Sequence, residues 1–124
     1  MDNNFNDKLP IYIQIINGIK KDIISGNIKP GDKLPSVREL SSQLKVNPNT
    51  ISRVYQEIER DGITFTQRGT GTFIREDTAM IASIKKEMAG ELIADFLQGM
   101  KNMGYTKEEI IKVISDKWND IEKN

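Results

Sequence analysis

Cysteine and histidine are both missing from the 124 residues. Without cysteine there can be no disulfide and no thiolate-bound metal, and the chain is compatible with a reducing compartment. Without histidine, the commonest general base and the commonest metal ligand disappear together. There is no phosphate-binding loop and no set of carboxylates at metal-binding spacing; Glu108 and Glu109 read as acidic charge complementing a helix dipole. Neither an enzyme nor a bound cofactor or metal is therefore expected. Long apolar runs are missing too, none approaching the roughly 18 residues of a membrane span. The opening MDNNFNDK is polar and acidic, without the apolar core of a leader peptide. A cytoplasmic protein with no membrane partner is expected.

What is present is ordinary globular composition, 37% hydrophobic and 29% charged, enough for one compact domain or a small domain with an appendage. The net charge of zero conceals a split. Residues 1–75 carry 11 Lys or Arg against 8 Asp or Glu, and residues 76–124 carry 7 against 10. All five arginines (Arg38, Arg53, Arg60, Arg68 and Arg75) fall in the first part. A split of this kind fits a nucleic-acid-binding part joined to something else, and equally an ordinary solvated surface.

Periodicity divides the first part into three helices and a hairpin. Tyr12, Ile15, Ile16, Ile19 and Ile23 repeat at helical spacing over residues 10–25, with Pro10 in the first turn and Gly26 as a stop. NIKPGDKLPS follows as a turn, because Pro30-Gly31 suits the centre of a type II turn. Ser36 and Glu39 form a capping box for a second helix bearing Leu40 and Leu44 and ending near Lys45. In VNPNTISRVYQEIER, Asn47 is the N-cap of a third helix, Pro48 its first residue, and Val46 and Ile51 a hydrophobic staple. Past Gly62 the period shortens to about 2. ITFTQ, RGTG and TFIR read as a β-hairpin, with Phe73 expected inward and Gly69 and Gly71 allowing unusual backbone angles.

Rotating about 100° per residue puts Ile51, Val54, Tyr55 and Ile58 on one side of the third helix. The other side then carries Asn49, Arg53, Gln56 and Arg60, flanked by Thr50 and Ser52. Asn and Gln can make paired hydrogen bonds to adenine, and Arg to guanine, on the base edges of the major groove. Any exposed helix face is polar, so this pattern gains weight from its neighbours. Thr50 and the helix N-terminus suit a phosphate. Ser36 and Arg38 at the start of the second helix suit another, alongside plainer roles as a cap and as a salt-bridge partner. At the hairpin tip, Arg68, Gly69, Thr70 and Gly71 place an arginine on a backbone able to approach a minor groove closely, while one glycine serves the turn regardless of function. RGTGTF lacks the spacing of a nucleotide-binding glycine loop and precedes a strand.

Beyond residue 77, Ile81, Ile84, Met88, Leu92, Phe96, Met100 and Met103 share one side of a helix over residues 78–103 that ends at Gly104. Thr106 and Glu109 cap a last helix lined by Ile110, Val113, Ile114, Trp118 and Ile121. Fewer than 50 residues with such apolar stripes need another surface to cover them.

PIYIQI, the G-x-x-x-PGDKLPSVREL block, VNPNTISRVYQEIERDG and RGTGTF occur in the order and at the intervals of the GntR family of bacterial transcription regulators, which residues 10–75 resemble. The resemblance implies a winged helix-turn-helix and DNA contacts at Ser36, Arg38, Asn49, Thr50, Arg53, Arg68, Gly69 and Gly71. It also implies operator binding as a homodimer, often relieved by a small effector held in the C-terminal domain. The tail is too short for the family's large effector domains, and without histidine the metal-binding effector type is not reproduced. A two-helix tail is similar to the YtrA-like subfamily, whose members commonly regulate neighbouring transporter operons and dimerise through those helices. By that comparison Ile81, Ile84, Met88, Leu92, Phe96, Met100 and Trp118 form the dimer or interdomain core; packing back on the first helix is the alternative.

The expectation is therefore a mainly α protein with a small β-hairpin: a winged helix-turn-helix over residues 1–76 and a two-helix dimerisation or effector region over 77–124. Its expected partners are double-stranded operator DNA, a second copy of the chain and an effector of unidentified chemistry. Repression is the expected sign. The rival expectation is a winged-helix module for protein assembly, with no specific duplex target.

Overall fold

The computed structural model describes residues 4–123; the first three residues of MDNNFNDK and the final Asn124 lie outside them. The element order is α1 (Ile11–Ser25), α2 (Val37–Leu44), α3 (Pro48–Arg60), β1 (Thr64–Gln67), β2 (Gly71–Ile74), α4 (Thr78–Asn102) and α5 (Lys107–Glu122). The chain divides into two compact units, one up to Lys85 and one from Lys86 onward.

In the first unit α3 is the hub, packing against α1, α2 and β1. Its core is built largely of isoleucine: Ile15, Ile16, Ile19 and Ile23 from α1 meet Ile51, Val54 and Ile58 from α3, with Leu40 and Leu44 from α2. These are the positions that helical spacing brings onto one stripe, and burial of each such side chain contributes about 1.5–3 kcal/mol. Local chemistry ends the helices where expected. Gly26 takes the left-handed conformation (φ 84°) after α1, and Gly31 does so (φ 85°) in the turn closed by Asp32 N–H on the Lys29 carbonyl at 3.0 Å.

The linker between α1 and α2 does more than turn. The Leu34 N–H donates to the Thr72 carbonyl (2.8 Å), Ile74 N–H to Asp32 (2.9 Å) and Gly31 N–H to Ile74 (2.8 Å), so residues 31–34 run along the outer edge of β2. This pairing anchors the wing to the core. It also corrects the expected register. Phe73 is not the inward residue: Ile74 and its cross-strand partner Thr64 are completely buried, whereas Phe73 is half-buried and stacks on exposed Phe65 with ring centroids 5.5 Å apart. Ile74 is held between β1 and the linker on both backbone edges, and a one-residue slip would turn it out of the core. The two phenylalanines then satisfy each other across the strands.

Thr64 buries its hydroxyl with no hydrogen-bond partner among the described residues. A buried unsatisfied hydroxyl costs about 1–3 kcal/mol, while valine has nearly the same shape and no polar atom. Thr64→Val is therefore expected to stabilise the protein by about 1–2 kcal/mol and to raise the thermal midpoint by about 4–8 °C. An unchanged or lower midpoint in a calorimetric scan would contradict this.

The second unit comprises the later turns of α4, a turn with Gly104 at φ 89°, and α5. Thr106 Oγ1 accepts from Glu109 N–H (3.2 Å) and the Glu109 carboxylate accepts from Thr106 N–H (2.9 Å), so the expected capping box starts α5. Hydrogen bonds to the carboxylate from the Thr106 backbone N–H and from its hydroxyl hold the Glu109 carboxyl below the usual carboxylate range. Within this unit Met100 and Ile110 are buried. Most of the remaining apolar side chains are exposed.

Candidate nucleic-acid interface

Three pieces of the first unit carry the side chains with recognition chemistry. The first is the start of α2. Ser36 Oγ accepts from the Glu39 N–H (3.1 Å), and the Ser36 N–H donates to Glu39 Oε1 (3.1 Å). The hydroxyl accepts there as a cap and also hydrogen-bonds the Glu39 carboxylate, so a phosphate contact from its proton would replace that bond. Hydrogen bonds to the carboxylate from the Ser36 backbone N–H and from its hydroxyl, with Lys33 nearby as a lesser influence, hold the Glu39 carboxyl below the usual range. Arg38 is exposed, and no ion pair engages it among the described residues. The first backbone N–H groups of α2 have no carbonyl partner within the helix and project positive potential from the same end.

The second piece is α3. Asn47 Oδ1 accepts from the Asn49 N–H at 2.8 Å, and Pro48 occupies the first turn. The helix is amphipathic in the strict sense: Ile51, Val54 and Ile58 are each 0% exposed, whereas Asn49, Arg53, Gln56 and Arg60 are all exposed and Thr50 is half-buried. Tyr55, at the edge of the buried side, donates from its hydroxyl to the Pro35 carbonyl (2.6 Å) and so ties α3 to the segment entering α2. Burial, helped by the Glu39 charge, pushes its phenol up to about 12, so it keeps its proton and its role as donor.

The arginines of α3 differ in their surroundings. Arg60 is bound to Glu57 at 3.0 Å within its own helix. Arg53 makes no such pair among the described residues; its guanidinium carbon lies 3.6 Å from the centre of the Tyr12 ring on α1. That stack joins residues 41 positions apart, and helical periodicity has no way to reveal it.

The third piece is the wing. The turn between β1 and β2 is closed by Thr70 N–H on the Gln67 carbonyl (2.9 Å), with Gly69 at φ 79° and Gly71 at φ 139°. Arg68, Gly69 and Thr70 are exposed, and Gly71 is half-buried. A Cβ on Gly71 would lie 2.6 Å from Lys33 Cε, so the linker lysine runs directly beside the wing. Lys33 is thus an exposed cation at this surface that motif reading passes over; its signal, a pairing between the linker and β2, is non-local. Glu59 Oε1 accepts from the Thr66 N–H (2.8 Å), so α3 and the wing are also joined directly.

The expected dimerisation residues fall into two groups. Ile84 and Met100 are buried within the single chain, and Ile81 and Met88 are half-buried. Leu92 (71% exposed), Phe96 (38%) and Trp118 (61%) lie open, and Ile93, Leu97, Ile111 and Ile114 extend the same exposed apolar character. A groove of about 600 Å³ between α4 and α5 is lined by Ile93, Phe96, Leu97, Ile110, Ile111 and Ile114, with Lys101, Tyr105 and Lys107 also at its walls. Among the described residues no helix is long and apolar enough to cross a membrane.

Comparison with known proteins agrees with this geometry. Residues 11–74 match the profile of the bacterial regulatory proteins of the gntR family. The HTH-type transcriptional repressor YtrA of Bacillus subtilis (strain 168) is 48% identical over 91 residues, 69% of this chain and 70% of that protein. A solved GntR family transcriptional regulator from Listeria monocytogenes superposes with a TM-score of 0.83 at 42% identity, covering 90% of this chain and 98% of the other. The DNA-binding domain of AraR, solved in complex with operator ORX1, superposes at a TM-score of 0.53 and 30% identity over 57% of this chain and 92% of its own. With its three-helix core, its wing and its two-helix tail, the chain belongs to the GntR family of DNA-binding winged-helix transcription regulators, in the YtrA-like subfamily.

Proposed function

We propose that the protein is a homodimeric repressor that binds a pseudo-palindromic operator. One observation carries this reading: α3 is wholly buried along Ile51, Val54 and Ile58, yet leaves Asn49, Arg53 and Gln56 exposed together on its other side. These are the side-chain types that pair with base edges in a major groove. Ser36, Arg38 and Thr50 then contact phosphates beside that groove, and the Arg68 to Gly71 turn follows the minor groove. Two copies held through α4 and α5 place their recognition helices about 34 Å apart, with half-sites separated by roughly one helical turn. The open apolar groove between α4 and α5 supports association through the tail.

Repression is the sign stated for the YtrA relative. Control of a neighbouring transporter operon, and release by a small effector bound in the tail, complete the reading. A gel-shift titration of the full chain against DNA upstream of its own operon tests it, with a scrambled duplex of equal length and composition as competitor. Retention of the upstream fragment in the presence of competitor supports it. Equal displacement by both duplexes sinks it and favours the protein-assembly role.

A further inference from the structure

Tyr12 lies on α1, outside the elements that carry the recognition chemistry, yet its ring meets the guanidinium of Arg53 at 3.6 Å. Stacking of this kind uses the face of the guanidinium and the face of the ring, whereas the N–H donors of arginine lie in the guanidinium plane. The donors therefore stay available while the plane itself is fixed. No ion pair among the described residues competes for them, in contrast to Arg60, which is bound to Glu57. Arginine otherwise carries a large rotamer entropy, and immobilising it on binding weakens association. A half-buried aromatic ring on a helix packed directly against α3 removes much of that loss in advance.

We infer that Tyr12 is a positioning residue for sequence readout: it holds Arg53 flat so that its forked donors meet one base pair in a set orientation. This rests on the operator-binding reading above. Tyr12 needs no DNA contact for the role, and the hydroxyl is dispensable because only the ring face is used.

The test uses the full chain and the duplex it enriches most strongly from a randomised double-stranded pool. Tyr12→Leu is expected to weaken binding to that duplex about 5-fold and to flatten the preference at one base pair. Binding to an unrelated duplex and the salt slope are expected to stay as in the parent, because no phosphate contact is lost. Tyr12→Phe is expected to match the parent. In an Arg53→Ala background the Tyr12→Leu effect is expected to vanish, which a purely structural role for Tyr12 does not predict. NMR gives a readout independent of affinity: the Arg53 side-chain protons are shifted upfield by the ring in the parent and in Tyr12→Phe, and not in Tyr12→Leu.

Several results would overturn the inference. They are parent-like base preference in Tyr12→Leu, an equal loss with and without Arg53, or no ring-current shift in the parent. A parent chain that enriches no motif at all would instead remove the operator reading itself, and this inference with it.

Discussion

Replacing Phe96 by glutamate is expected to leave the winged domain folded and to lower operator affinity by about 10²- to 10⁴-fold, because the second half-site is no longer tethered. Phe96 is 38% exposed in the single chain, so a carboxylate there can reach water without disturbing the buried residues of the first unit. Across an interface the same carboxylate would be buried without a partner, at a cost of several kcal/mol. The surroundings support such an interface. Leu92, Trp118 and Ile121 are 71%, 61% and 67% exposed on a unit that begins only at Lys86. A monomeric protein rarely leaves a large apolar surface to solvent. Sedimentation measurements should show the parent as a dimer and Phe96→Glu as a monomer at the same concentration, with unchanged helical circular dichroism from the first unit. An unaltered mass and an unaltered operator titration would remove the tail from the assembly.

Replacing Arg53 by alanine is expected to cost about 1–3 kcal/mol in operator binding, or roughly 5- to 150-fold, and to relax discrimination at one base pair. The residue is exposed, carries no intramolecular ion pair among the described residues, and stands between Asn49 and Gln56 on the same side of α3. Arg38→Ala is its natural contrast. At the start of α2, Arg38 is expected to meet phosphate, and its loss should weaken all duplexes alike while reducing the salt slope by about 0.9. Titrating both variants across salt against the operator and a scrambled duplex separates the two behaviours. Curves that overlay the parent would remove both assignments.

Much of this surface is legible in the sequence because its framework is set by short-range chemistry. Ser36 with Glu39, Asn47 with Asn49 and Thr106 with Glu109 cap helices through partners within three residues, and the structure shows the corresponding hydrogen bonds. The isoleucine stripe of α1 and the apolar side of α3 follow from a period of about 3.6 residues. Features that depend on residues far apart in the chain are not legible in that way. Alternation along TFIR points to Phe73, but the linker pairing that buries Ile74 comes from residues 31–34, across the whole of α2 and α3. The Tyr12–Arg53 stack and the position of Lys33 beside the wing have the same origin. In the tail, one apolar stripe is visible from spacing alone. Which of its members one chain already covers, such as Ile84 and Met100, depends on packing that periodicity does not encode.

The most direct measurement is an enrichment experiment: the full chain is mixed with a pool of randomised duplexes, and the retained fraction is sequenced over successive rounds. If the exposed side of α3 reads DNA, the pool converges on a two-fold-related motif whose half-site centres lie about 10 base pairs apart, and the triple variant Asn49→Ala, Arg53→Ala, Gln56→Ala enriches nothing from the same pool. A parent pool that stays random after every round, or a triple variant that selects the parent's motif, would show that this face is not the one that meets the duplex.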